Sequence, residues 1–294
     1  MTNIIKDEIK KHKPEISVSS IKTYSSILKN IYKKVFNSSD INISNFDETD
    51  KILEFLKTIT PNRRKTILSA LVVITDNKAY RNLMLDDITQ YNKDIAKQEK
   101  TDEQKLSWVE KSEVENILNE LKDNAELLYK KKALKISDLQ QIQNYIIMCL
   151  LSGVYISPRR SLDYVNFKIK NIDPETDNYL TKSNLVFNSY KTAKTYGTQT
   201  IAIPVQLKNI LLKWIKVNPT EYLLFDSKLS KLSAVKLNQR INLFFNGMKV
   251  GVNQLRHTYL TDKYKDTIKQ NQEIQNTMQE MGSSSQQLST YVKK

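Results

Sequence analysis

Four short segments in the second half of this 294-residue sequence carry side chains suited to work on an anion. Arg160-Ser161-Leu162-Asp163 follows an apolar stretch, with Arg159 directly before it. Lys191 opens the polar run KTAKTYGT, in which Lys194 is the nearest alternative, and the segment IAIP follows. Asn253, Arg256 and His257 lie together in NQLRHTYLTD, and MGSSSQQLSTYVKK supplies Gly282, Ser283 and Tyr291. Guanidinium groups keep their charge at any ordinary pH and offer paired donors that match phosphate oxygens. An amide such as Asn253 can donate a hydrogen bond but is neither acid nor base near neutral pH. Other chemistries have less to build on. Five glycines form no phosphate-cradling loop, and His12 and His257 are the sole histidines. Neither a Ser/His/Asp arrangement, a zinc site nor a two-metal carboxylate pair stands out. Cys149 is alone, which excludes an intrachain disulfide framework and reads as a small core residue.

The charge balance points the same way. Lys and Arg number 46 against 32 Asp and Glu, a net charge of +14, and residues 182–294 hold 17 of the basic residues but 6 of the acidic ones. A one-sided positive field concentrates polyanions, nucleic acid above all. The plainer alternative is a lysine-rich surface from an AT-biased coding sequence, kept for solubility. Apolar residues make up 39%, and the longest near-continuous apolar run, Tyr145 to Leu151, is far short of the ~20 residues a membrane span needs. The N-terminus is charged from its start and lacks a secretory h-region. An intracellular protein with no membrane span, no metal and no small-molecule cofactor is expected.

The elements that must position these residues follow from periodicity. In the first hundred residues Ser19 and Ser20 can cap a helix with Ile21, Tyr24, Ile27, Leu28, Ile31 and Val35 on one face. Further helices fit Asp50–Ile59, a segment opened by Pro61, and Lys78–Ile95. The polar stretch from Lys93 to Lys105 reads as a linker. Beyond it, helices fit Val114–Leu128 and Leu139–Leu151, and Ser157 as N-cap with Pro158 at the first position starts another. Asn184–Tyr190 and Gln199–Ile203 read as two strands joined by a turn over 191–198. Helices over Val205–Val217, Leu229–Met248, from near Asn253, and over Ile268–Met281 complete the chain. The expected fold is mainly α with a small antiparallel sheet in the second domain. The expected division is a helical domain over 1–96, a linker over 97–106 and a mixed domain over 107–294.

In the order and spacing of its four segments the chain resembles the tyrosine recombinase (phage-type integrase) family, over nearly its whole length. The family's R-x-x-[E/D] is matched by Arg160 and Asp163, with Arg159 as a competing clamp. Its hairpin lysine is matched by Lys191, or else Lys194, and its H-x-x-R-H by Asn253, Arg256 and His257. Its G-[H/W] is matched loosely by Gly282 and Ser283, and its nucleophile by Tyr291. Asn253 and Ser283 depart from the pattern, and the Gly-to-Tyr spacing is one residue short. The resemblance implies a helical core-binding domain and a catalytic domain that clamp duplex DNA in a C shape. It implies a 3′-phosphotyrosine intermediate at Tyr291, with Arg160 and Arg256 on the scissile phosphate and Lys191 as general acid. Asn253 and Ser283 would be phosphate donors, Asp163 would orient an arginine, and His257 would be packed and hydrogen-bonded behind them. Neither metal nor ATP is needed. A dimer on each site and a tetramer in synapsis are implied, with tetramer contacts that are weaker or made elsewhere because Tyr291 lies three residues from the end. The lysine- and asparagine-rich composition suits a mobile or viral element acting in cytoplasm, nucleus or viral factory. The alternatives are a recombinase-derived DNA-binding protein without turnover, a type IB topoisomerase, and a telomere resolvase.

Overall fold

The computed structural model describes residues 4–293. The chain divides into two compact units, Met1–Glu99 and Lys100–Lys294. The stretch expected to be linker carries a helix, α6 (Asp102–Leu106), closed by a capping box. Thr101 Oγ1 accepts from the Gln104 amide at 3.2 Å, and Gln104 Oε1 accepts from the Thr101 amide at 2.9 Å.

The first unit is helical: α1 (Ile4–His12), α2 (Val18–Phe36), α3 (Thr49–Leu56), α4 (Pro61–Thr75) and α5 (Lys78–Ala96), with a 3-10 turn over Ile43–Asp47. The cap of α2 is Ser17, two residues earlier than expected, and its hydroxyl accepts from the Ser20 amide. Helix α1 was not anticipated, since its charged residues mask the two that fold it, Ile5 and Ile9, both fully buried. Pro61 opens α4 at the first turn, where its missing N–H costs nothing. Arg64 ties α4 to α5 through two bonds to the buried Asp87, at 2.8 and 2.6 Å.

The second unit is built around a helix buried on nearly every side. Helix α8 (Ile136–Leu151) packs on α7 (Lys111–Leu128) and on α11 (Val205–Val217), and from Tyr145 to Leu151 every residue is buried. The remaining helices are α9 (Ser161–Val165), α10 (Ala193–Tyr196), α12 (Ala234–Phe244), α13 (Val252–Glu280) and α14 (Leu288–Tyr291). A four-stranded sheet runs in the order β1 (Phe167–Lys168), β2 (Asn178–Leu180), β3 (Asn184–Phe187), β4 (Gln199–Ala202). It is mixed rather than antiparallel, because β1 pairs β2 in parallel while β2–β3 and β3–β4 are antiparallel. Strand β3 stops three residues before the expected Tyr190. The amides of Asn188 and Ser189 turn to the buried Asn178 side chain, at 2.9 and 2.7 Å, instead of a neighbouring strand. The expected turn over 191–198 contains α10.

Two helix corrections bear on function. Helix α12 is shorter than the expected 229–248, because Leu229 and Asn246 both take left-handed backbone and Ser233 supplies the N-cap. Helix α13 is one continuous helix of 29 residues, where two were expected. Between Asp262 and Ile268 the sequence holds no Gly or Pro to break it. Among the described residues no helix is long and apolar enough to cross a membrane.

Candidate phosphate-binding site

The loop after α8 delivers two adjacent arginines to opposite fates. The expected start of α9 at Ser157-Pro158 is displaced: the helix begins at Ser161, and Arg160 occupies the N-cap position in extended backbone. Arg159 turns inward. Its Nε donates to Asp163 Oδ2 at 2.8 Å, its Nη1 donates to Gln199 Oε1 at 2.7 Å, and its plane lies over the Phe187 and Tyr190 rings at 4.1 and 5.0 Å. Asp163 is 2% exposed, and burial pushes its carboxyl above the ordinary range, opposed first by Arg159 and then by Arg160. Asn178 fixes the turn from behind by donating to the Asp163 carbonyl at 2.9 Å. Arg160 points outward, exposed, with no ion pair among the described residues. Asp163 therefore orients Arg159, and Arg159 holds the loop while Arg160 stays available.

Arg256 approaches from α13. The first turn of that helix is pinned by Asn238 of α12, whose Oδ1 accepts from the Val252 amide at 2.9 Å. Thr258 locks the next turn by donating to the Val109 carbonyl at 2.7 Å, in the buried interior. Val252 and Leu255 face the core, which leaves Arg256 half-buried beside the α9 loop. Burial lowers its pKa first, and Arg160 adds a like-charge push that Asp163 partly offsets. Arg160 is thus close enough for its charge to be felt at Arg256, and the carboxylate felt by both, Asp163, is already bound to Arg159.

Tyr259 joins the two arginine carriers. Its ring packs against Gly153, and its hydroxyl shares a 2.8 Å hydrogen bond with Ser157 and accepts from Lys263 at 3.2 Å. These hydrogen bonds, Ser157 first, lower its pKa. Beside the arginines opens a cleft of about 430 Å³ lined by Ser161, Lys249, Asn253, Gln254 and His257, with Glu103 on its rim. Gln254 is 7% exposed and is one of the residues lining this cleft, and its buried Nε2 has no partner among the described residues. His257 is exposed and makes no hydrogen bond among the described residues, contrary to the packed histidine expected. Its place on the open face of α13, with Thr258 taking the inward position, is the reason. Lys191 and Lys194 are both exposed. Lys191 directly follows Tyr190, the ring beside Arg159, whereas Lys194 lies out on α10.

Ser283 and Tyr291 lie elsewhere. Gly282, at φ 65°, and Ser283 form a helix stop: the Ser283 amide donates to the Met278 carbonyl at 2.8 Å and the Gly282 amide to Gln279 at 2.9 Å. The Ser283 hydroxyl bonds to Gln287 at 2.8 Å. The tail then folds back so that Leu288 lies in a groove with Gln270, Ile274 and Met278. At a rise of about 1.5 Å per residue, Glu280 is about 36 Å and Gln270 about 21 Å along the axis from Arg256. Within one chain, then, Arg160, Arg256, Asn253 and His257 come together, and Ser283 and Tyr291 do not join them. The unbroken α13 is the cause.

Sequence reasoning missed Gln254, Asn238 and Tyr259. Gln254 and Tyr259 stand in the same NQLRHTYLTD segment as Arg256, but only the fold shows which face each presents. Compared with known proteins, the chain matches no family model and no curated protein.

Proposed function

We propose that the protein is a DNA strand-transferase of the tyrosine-recombinase kind, which breaks and rejoins duplex DNA through Tyr291. The observation that carries this reading is the Arg160–Arg256 pair, two neighbouring cations with no ion-pair partner among the described residues. A phosphodiester supplies that anion, and its pentavalent transition state carries still more charge on the non-bridging oxygens. Each guanidinium placed there lowers the barrier by about 3 kcal/mol, the usual worth of one preorganised donor. Asn253 and the unpaired amide of Gln254 add neutral donors from the cleft wall. Tyr291 Oη attacks phosphorus and loses its proton to water, the P–O5′ bond breaks, and Lys191 protonates the departing 5′ oxygen. The 3′-phosphotyrosine keeps the bond energy, so an incoming 5′-hydroxyl reseals the strand without a nucleotide cofactor. The net charge of +14 supplies attraction for the duplex.

A nicked suicide duplex tests this reading. Wild type yields a protease-sensitive, slow band on a denaturing gel, and Tyr291→Phe yields none. A second reading, a protein that grips duplex DNA without turnover, is favoured by the separation of Tyr291 from Arg256. It is the correct one if salt-sensitive binding persists with no band from any duplex.

A further inference from the structure

We propose that the second unit holds a binding site for a small aromatic monocarboxylate, in a cleft between α7, α8 and α11. This cleft shares no lining residue with the one beside the arginines, and the proposal does not depend on the strand-transfer reading.

The wall of the cleft is aromatic. Tyr129 of α7, Tyr145 of α8, Tyr155 of the connection that leads on to Arg159, and Ile210 of α11 line a space of about 260 Å³. Ala125, fully buried one turn before Tyr129 on α7, adds only a methyl group to this lining. An apolar cavity of about 150 Å³ is enough for benzene, so this space has room for a second ring or a short acid arm. It falls just below the ~300–1,000 Å³ of sites for drug-sized ligands, which sets the ligand class as small.

The rim fixes the sign of the ligand. Lys122 and Lys213 stand there against one acid, Glu126, and all three are exposed. Glu126 lies 3.9 Å from Lys122, which neutralises that end. Lys213 makes no ion pair among the described residues, and its Nζ sits 3.9 Å from the centre of the Tyr129 ring. One uncompensated cation beside an aromatic wall matches one carboxylate carried on a ring. A dianion would leave a charge without a partner, and a neutral ring would leave Lys213 unused. The Tyr129 hydroxyl is an independent pointer: it is buried and has no hydrogen-bond partner among the described residues. Such orphaned groups are rare in folded proteins, and a carboxylate drawn to Lys213 brings an acceptor to the residue that lacks one.

Calorimetric titration of the full chain with 2-naphthoate tests this, with 2-naphthamide as the uncharged counterpart. At ordinary ligand efficiency its ~13 non-hydrogen atoms correspond to a Kd of about 1 mM or tighter. The acid should bind about tenfold more tightly than the amide, the worth of one charge-assisted contact. Lys213→Met, at an exposed position that leaves the fold intact, should erase that difference. Lys29→Met, which removes an exposed lysine from the first unit, should keep it. Hydrogen exchange locates the ligand: with 2-naphthoate present, peptides around Tyr129 and Tyr155 slow, and those of the first unit do not change. No binding at several times 1 mM, equal affinity for acid and amide, or a difference that survives Lys213→Met would overturn the proposal. Protection confined to other segments would overturn it as well.

Discussion

Gly153→Ala is the substitution whose cost follows most directly from the structure. Gly153 has φ 81°, in the left-handed region, and a Cβ there would overlap the Tyr259 ring, with Cγ and Cε2 at 3.1 Å and Cδ2 closer still. The backbone alone costs about 1–2 kcal/mol for a residue other than glycine. Displacing a packed ring adds about 1–3 kcal/mol. Tyr259 cannot turn away freely, because its hydroxyl is held by Ser157 and Lys263. The expected loss is therefore about 2–5 kcal/mol from the second unit. Both tryptophans, Trp108 and Trp214, lie in that unit, so their fluorescence during urea unfolding reads it without interference from the first. The midpoint should fall by about 1 M or more, with a slope of about 2 kcal/mol/M. In a Tyr259→Ala background the clash is gone and the same change should cost only the backbone share. An unchanged midpoint, or an equal cost in both backgrounds, would refute the idea that Tyr259 fastens the arginine loop to α13.

Other outcomes follow from the same contacts. The Lys236 hydrogen bond, helped by the amides of Lys228 and Ser230, lowers the Asp226 carboxyl from 3.8 to about 2. A depressed folded value means stability is present above the unfolded pKa and is lost as pH falls through the folded one. Asp226→Asn should therefore flatten the acid limb of unfolding between pH 4 and 2, read by tryptophan fluorescence. In the first unit, Asp87→Ala leaves Arg64 without its two bonds and should cost about 2–3 kcal/mol, visible as faster hydrogen exchange in peptides from α4 and α5. Arg160→Ala should leave unfolding unchanged yet reduce the slope of log affinity for duplex DNA against log salt by about 1, the share of one phosphate contact. Asp163→Ala should behave oppositely, lowering stability first, since it strips Arg159 of its carboxylate partner and leaves it Gln199 alone as a hydrogen-bond acceptor.

Much of the scaffold was legible because its signals are local. Pro61 at a helix start and the apolar run over Tyr145–Leu151 each specify structure within a few residues, whereas both expected serine caps were displaced, to Ser17 for α2 and to Arg160 for α9. Helix α11 appears at its expected bounds, Val205–Val217. The Arg160 and Arg256 segments were legible from residue type and order, and the fold puts them beside each other. The adjacency of Arg159 left open which arginine was free, since only long-range partners, Gln199 and the Phe187 ring, engage it. The parallel β1–β2 pairing was illegible for the same reason: strands of two and three residues have too little alternation to announce themselves. Gly282-Ser283 illustrates the converse. Read as part of a catalytic element, it forms a helix stop in the fold, a role that any glycine after a long helix can fill.

The strand-transfer reading stands or falls on where DNA becomes attached. Trapping the complex on the nicked suicide duplex, digesting the protein and sequencing the nucleotide-bearing peptide by mass spectrometry locates the bond directly. Attachment to Tyr291, lost in Tyr291→Phe, is the expected result. Attachment to Tyr259, the tyrosine already fixed near the arginines, or no attached peptide at all, would contradict it.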